Sequence, residues 1–210
     1  MDDSSPRKNI LAKIGKALSN STPKPFLSTT KVDSFFKPEE DSLESLFEAK
    51  FVALLGNFFL FDDVDALRNK LLQIIKDRGW SCIGIRDNQI KALLGDTIFP
   101  VNSQTHLQDI DVAITDCALL VARTGTIVMR SDQSSGRALP VYAPIHVVVA
   151  FTSQLVFDLQ ESFEKIMRDG PGELPSSLVF ASGPSRTGDI EKTLIVGVHG
   201  PREVFVFMLK

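Results

Sequence analysis

Residues 57–85 read NFFLFDDVDALRNKLLQIIKDRGWSCIGI. The opening run, residues 57–61, is short, apolar and bounded by Gly56 and Asp62, which suits a strand buried on both faces. Asp62 can cap the segment that follows, and Asp65 falls in the first turn, where the helix dipole favours negative charge. Val64, Leu67, Leu71, Ile74 and Ile75 then make one helical stripe, and Gly79 ends it. Residues 80–85 read as a second strand. A β-α-β rhythm of this kind predicts a mostly parallel sheet with helices packed on its faces.

Working outward, residues 40–55 read as a helix and residues 88–95 as a shorter one. Short strands are expected at 111–115, 119–122 and 126–130, with Thr124-Gly125 as a tight turn where Gly125 can take positive φ. Residues 131–140 are a polar loop. Residues 145–151, with Val147-Val148-Val149, read as a buried strand. Val156, Leu159, Phe163, Ile166 and Met167 give a helical stripe up to Gly170. A Pro/Gly-rich loop at 170–177 precedes a strand at 178–182, and residues 204–209 close the sheet. Two regions result: an arm at 1–38 and a globular body at 39–210. In the arm, Ile10, Leu11, Ile14 and Leu18 share one face of a short helix over 7–18. Ten of the 20 residues from 19 to 38 are Ser, Thr or Pro, a linker composition.

Charge and cysteine content narrow the function. The arm carries seven Lys/Arg against three Asp, and the body 16 basic against 23 acidic residues, so the body is −7 within a chain of −3. An acidic body is a poor partner for nucleic acid. The basic arm either is solvated or touches an acidic partner. The longest near-apolar stretch, residues 51–61, is about half the ~20 residues a membrane-spanning helix needs. Two cysteines, Cys82 and Cys117, make no disulfide framework and cannot by themselves ligate an iron–sulfur cluster. The three histidines are far apart, without metal-ligand spacing, so no metal is expected. The polar N-terminus does not read as a signal peptide, and a cytoplasmic protein is expected.

Three blocks can carry chemistry. The first is Ala181-Ser182-Gly183-Pro184-Ser185-Arg186-Thr187-Gly188-Asp189-Ile190-Glu191, a strand entering a small-residue loop and then an expected helix. In open α/β sheets ligands sit at the carboxyl ends of strands. Gly183 lets backbone approach a ligand, Ser185 and Thr187 offer hydroxyls, and Arg186 can grip a carboxylate or phosphate. Asp189 and Glu191 are candidate acid/base groups. The same residues equally suit a plain strand–helix joint. The second block is Gly197-Val198-His199-Gly200-Pro201-Arg202, whose turn presents His199 and Arg202. His199 is a candidate catalytic acid or a structural hydrogen bonder. The third is Arg123-Thr124-Gly125-Thr126, a close-approach turn with two hydroxyls or an ordinary hairpin. Arg137 in the polar loop could close over an anion or be solvated. His106 and His146 read as structural.

Together these blocks resemble the LUD-domain family, lactate-utilisation protein C type. Residues 183–191 and 197–202 look like its C-terminal signature, Thr124-Gly125-Thr126 like its Thr-Gly turn, and the helix near residues 4–18 like its opening. The resemblance implies a three-layer α/β/α sandwich with a mostly parallel sheet and some antiparallel strands, similar to the NagB/RpiA/CoA-transferase-like group. It further implies a cytoplasmic, non-redox subunit for oxidation of L-lactate to pyruvate, acting beside iron–sulfur partner subunits. Its ligand is then a small carboxylate or a phosphorylated metabolite. No flavin, dinucleotide or haem pattern is present, so no resident cofactor is expected. An independent isomerase or acyl/CoA-transfer enzyme, with Asp189, Glu191 and His199 as its acid/base groups, and a pure interaction module are the alternatives. The residue before Thr-Gly is usually acidic in the family and is Arg123 here. If that acid serves catalysis in the family, this chain has lost or rerouted it; the alternative is that the acid is only a structural ion-pair partner.

Overall fold

A computed structural model of the chain describes residues 6–19, 42–95, 98, 106–169, 175–188 and 195–210. The chain divides into two units, Met1–Lys37 and Pro38–Lys210. In the first, α1 (Pro6–Leu18) is a helix with no buried residue, and Ile10, Leu11, Ile14 and Leu18 are all exposed.

The second unit begins with α2 (Leu43–Ala53), β1 (Asn57–Phe61), α3 (Val64–Arg78), β2 (Ile83–Ile85) and α4 (Asn88–Leu94). It continues through β3 (Val112–Thr115), β4 (Leu119–Val121), β5 (Thr126–Arg130), α5 (Leu139–Tyr142), β6 (Ile145–Phe151), β7 (Leu155–Val156) and α6 (Leu159–Asp169). It ends with β8 (Leu178–Ala181), β9 (Arg186–Thr187), β10 (Ile195–Val196) and β11 (Glu203–Leu209). Five strands form one parallel sheet in the order β1-β11-β6-β3-β2. Burial on both faces explains the unbroken apolar runs of β6 and β11. Val147, Val149, Phe205 and Phe207 pack toward Leu67 and Leu71 of α3 and Ile90 and Leu94 of α4. Val148, Ala150, Val206 and Met208 point the other way, toward Phe47 and Phe51 of α2. Each such fully buried Val, Leu, Ile, Phe or Met side chain contributes about 1.5–3 kcal/mol. Helices thus cover both faces of a parallel sheet, an α/β fold.

The antiparallel strands are gathered in a second sheet, β7-β4-β5-β8, which shares the α2 side. Its outer face packs on Ile166 of α6. The expected strand at 178–182 is therefore not part of the parallel sheet. It is β8, paired antiparallel to β5 at the edge of the second.

Local chemistry shifts several boundaries. Asp63, not Asp62, caps α3, accepting from the Ala66 N–H at 2.7 Å. The second strand starts at Ile83 because Ser81 and Cys82 turn their N–H groups to the Asp111 carboxylate. Those hydrogen bonds, Cys82's first, hold the Asp111 carboxyl below its ordinary range. Val156 belongs to β7, so the stripe expected from it starts at Leu159. The loop 131–140 ends in α5, seated by buried Leu139 and Pro140. Both cysteines are free. Burial, and then the Asp116 charge, push the Cys117 thiol upward, so it is no nucleophile.

His146 is fully buried between β3 and β11, with its Nε2 2.8 Å from Thr115 Oγ1. That hydroxyl donates its one hydrogen to the Asp116 carbonyl, so Nε2 carries the imidazole proton and donates to it. Burial lowers the His146 pKa to about 4 from 6.5. Between these pH values the unfolded chain binds a proton that the folded chain does not, so stability falls as pH drops through that window. The urea stability gap between wild type and His146→Gln should shrink by about 2–3 kcal/mol from pH 7 to pH 4.5. A gap independent of pH would contradict this assignment. Gly125→Ala, strained by its positive φ and by the backbone of α2, is expected to destabilise by more than about 2 kcal/mol in the same assay.

Candidate functional site

The Thr124-Gly125-Thr126 turn follows a short 3-10 turn, Ala122–Thr124, and Gly125 adopts φ +59°. A Cβ on Gly125 would lie 2.6 Å from the Phe51 nitrogen of α2. Thr124 and Thr126 hydroxyls lie 2.7 Å apart, and Thr126 is again 2.7 Å from the Ser182 hydroxyl. This joins the third block to the start of the first. Gly183 (φ +78°) also faces α2, where a Cβ would lie 2.5 Å from the Leu54 carbonyl oxygen. Arg186 Nη2 donates to that same carbonyl at 2.5 Å. Two glycines, three hydroxyls and one guanidinium thus converge on the C-terminal end of α2. Carbonyls at a helix C-terminus lack intrahelical partners and carry partial negative charge, so a cation there caps the helix. Arg186 thus spends one of its donors on the protein itself.

The rest of the first block is tied to the second. The Ser185 N–H donates to the Pro201 carbonyl and the Gly197 N–H to the Ser185 carbonyl, both at 2.9 Å. Thr187 and Arg186 pair antiparallel with Ile195 and Val196. The loop therefore leads into a small hairpin. The helix expected next would begin on residues 189–194, outside the described residues, as do the candidates Asp189 and Glu191. The Arg202 N–H donates to the Pro144 carbonyl at 2.7 Å, directly before β6. β6 and β11 run parallel with Ile145 opposite Glu203, so this region lies at the amino ends of the parallel strands. The carboxyl-end placement expected from the sequence is corrected. β8 feeds the loop from the antiparallel sheet.

At that amino edge lies a cavity of about 530 Å³. Gln108, Tyr142, Pro144, Val198, His199 and Arg202 are among its lining residues. The His199 imidazole and the Arg202 guanidinium are exposed and have no hydrogen-bond or ion-pair partner among the described residues. Gly197 has φ +80°, and a Cβ there would overlap the Arg202 stem, so this glycine lets the stem lie across the turn. Gly183, Ser185 and Thr187 support this hairpin and are not among the lining residues. Arg137 instead borders a neighbouring void of about 10 Å³, room for a single water. Val141 lines both spaces. Tyr142 and Gln108 are the contributors that sequence reasoning missed. Tyr142 is the chain's one tyrosine, and its signal is the flanking pair Pro140 and Pro144, which fix a short presented turn.

Two further polar arrangements are structural. Arg123 Nε and Nη2 donate to Asp158 Oδ1, at 3.0 and 2.7 Å, and the same oxygen accepts from the Leu159 N–H at the start of α6. Asp116 accepts from Gln133 Nε2 at 2.7 Å and Ser135 Oγ at 2.8 Å, which orders the polar loop. Among the described residues no three His, Cys, Asp or Glu side chains cluster as a metal site requires. No described helix is long and apolar enough to cross a membrane.

Because Arg186 caps α2, Arg186→Ala is expected to lower stability by about 1 kcal/mol in urea unfolding. Ligand affinity at the cavity should be unchanged; a loss confined to affinity would return Arg186 to the binding site.

Comparison with known proteins agrees with this architecture. The family model for the LUD domain matches residues 101–209, which include every cavity residue named above. Lactate utilization protein C of Shouchella clausii is 37% identical over 92 residues, 43% of this chain and 40% of that protein. The protein of the same name from Deinococcus radiodurans is 35% identical over 115 residues, 52% and 51% of the two chains. An uncharacterized protein of Neisseria meningitidis is 27% identical over 146 residues, 68% of this chain and 61% of that one. The match thus spans between 40 and 61% of the length of these relatives. In fold, the chain is similar to the crystal structure of a DUF162 family protein from Deinococcus radiodurans. The TM-score is 0.60 at 20% identity, over 80% of this chain and 96% of that one. With the family match covering half of its residues, the chain belongs to the LUD domain family.

Proposed function

We propose that this chain is the non-redox member of a lactate-utilisation system, binding a small carboxylate or phosphorylated metabolite beside iron–sulfur partner subunits in the cytoplasm. The names carried by its relatives support the lactate link. The observation that carries the binding role is the cavity at the amino edge of β6 and β11, where Arg202 and His199 have no partner among the described residues. A guanidinium offers two parallel hydrogen bonds to a carboxylate or phosphate, and its charge is independent of pH in the physiological range. His199 and Gln108, which also line the cavity, add further donors. The redox step belongs in this reading to the partner subunits, and this chain positions the anion or docks the partners.

The binding part is tested by calorimetry with lactate, pyruvate and inorganic phosphate. Arg202→Ala should weaken binding by about 1.5–3 kcal/mol, the range for a charged hydrogen bond. Equal affinity in wild type and variant, or no binding to wild type, would remove the cavity from the function. Affinity purification of the tagged full chain should bring down cysteine-rich subunits; their absence would remove the assembly part.

A further inference from the structure

The cavity is larger than a three-carbon acid needs. Its volume is about 530 Å³. A molecule the size of lactate displaces only on the order of 100 Å³, counting each heavy atom somewhat below the ~30 Å³ share of a liquid water. Cavities of several hundred Å³ hold ligands of drug or cofactor size. The lining is mixed in character: Arg202 and His199 bring a guanidinium and an imidazole, Val141 and Tyr142 come from the short helix α5, and Val198 adds a further apolar side chain. Tyr142 is 63% exposed and Val198 47%, although both border a concave space. Buried Leu139 and Pro140 anchor α5, so the backbone that presents the ring is fixed. An aromatic ring on a fixed backbone and a guanidinium without a partner among the described residues, both lining one cavity, match a ligand with two ends.

We infer that the cavity takes a nucleotide-sized ligand, its phosphate held by Arg202 and its planar base stacked on Tyr142. Lactate or pyruvate alone fills too little of the space. This inference rests on the reading that the cavity is the binding site, and it names the ligand class. Stacking of a base on an aromatic ring tolerates any planar heterocycle, so the class is set by the phosphate and the ring together.

The test is calorimetry of the full-length protein with adenosine monophosphate, ribose 5-phosphate, inorganic phosphate and lactate. Three proteins are compared: wild type, Tyr142→Ala and Arg202→Ala. Adenosine monophosphate should bind wild type at least about fivefold more tightly than ribose 5-phosphate, since a stacked base is worth roughly a factor of five to a hundred. Tyr142→Ala should abolish that advantage and leave ribose 5-phosphate unaffected, Tyr142→Phe should retain it, and Arg202→Ala should weaken both. Far-ultraviolet circular dichroism identical to wild type confirms folded variants. Equal affinity for the two phosphates in wild type overturns the inference while leaving the anion site intact. Binding of lactate in preference to every phosphate does the same. No binding of any of the four overturns the inference and the anion-site reading together.

Discussion

The C-terminal end of α2 is gripped by two glycine turns and one guanidinium, and the relation between the two sheets follows from that grip. Gly125 approaches the helix from β5's side and Gly183 from β8's side, each where a Cβ would stand within 2.6 Å of helix backbone. Phe47 and Phe51, ring centroids 5.3 Å apart, are then driven into the space between the parallel sheet and the second sheet. A helix end so enclosed needs its free carbonyls satisfied. Arg186 reaches the Leu54 carbonyl, and Leu55 turns through a positive φ of 68° to bring Gly56 back under Phe51. The hydroxyl chain Thr124–Thr126–Ser182 closes the polar remainder between the two turns. Gly125, Gly183 and Arg186, candidate ligand contacts in the sequence, all touch the end of the protein's own helix.

Those contacts displace the chemistry. Ser185 and Gly197 use their N–H groups on neighbouring carbonyls, so this stretch offers a ligand fewer donors than its composition suggests. What remains is one turn farther along the chain, where Gly197 lets the Arg202 stem cross the loop and nothing in the described protein neutralises its charge. The body as a whole is acidic, which would repel an anion at long range. At physiological ionic strength charges beyond roughly 8 Å are screened, so the local guanidinium decides the encounter and the distant carboxylates do not.

The β-α-β unit at 57–85 was legible because its signals are local: an apolar run, a 3.6-residue stripe and a terminal glycine lie within thirty residues. The membership of β8 was not. An apolar four-residue strand looks alike in either sheet, and only its pairing with β5, some fifty residues earlier, decides between them. The site followed the same division. Glycine and arginine could be recognised as residues that approach or hold something, but whether that something is a ligand or the end of α2 depends on a contact 132 residues away in sequence. His199 and Arg202 were visible from the Gly-Pro turn. Tyr142 was hidden, because a lone aromatic between two prolines carries no period, and its exposure is a property of the packed α5.

Arg123 shows how a departure from a family pattern becomes intelligible once its partner is known. The family resemblance leads one to expect an acid immediately before the Thr-Gly turn. Here the position carries a guanidinium that meets Asp158, and Asp158 also receives the first N–H of α6. Both side chains are largely buried, at 27% and 14% exposure. An acid at 123 facing this same Asp158 would place two carboxylates in one half-buried site, which raises a pKa or breaks the contact. The charge before the turn and the residue that begins α6 are therefore set jointly, as an ion pair between the second sheet and its outer helix. The cavity's guanidinium and imidazole come from the turn before β11, and the 122–126 turn touches the end of α2.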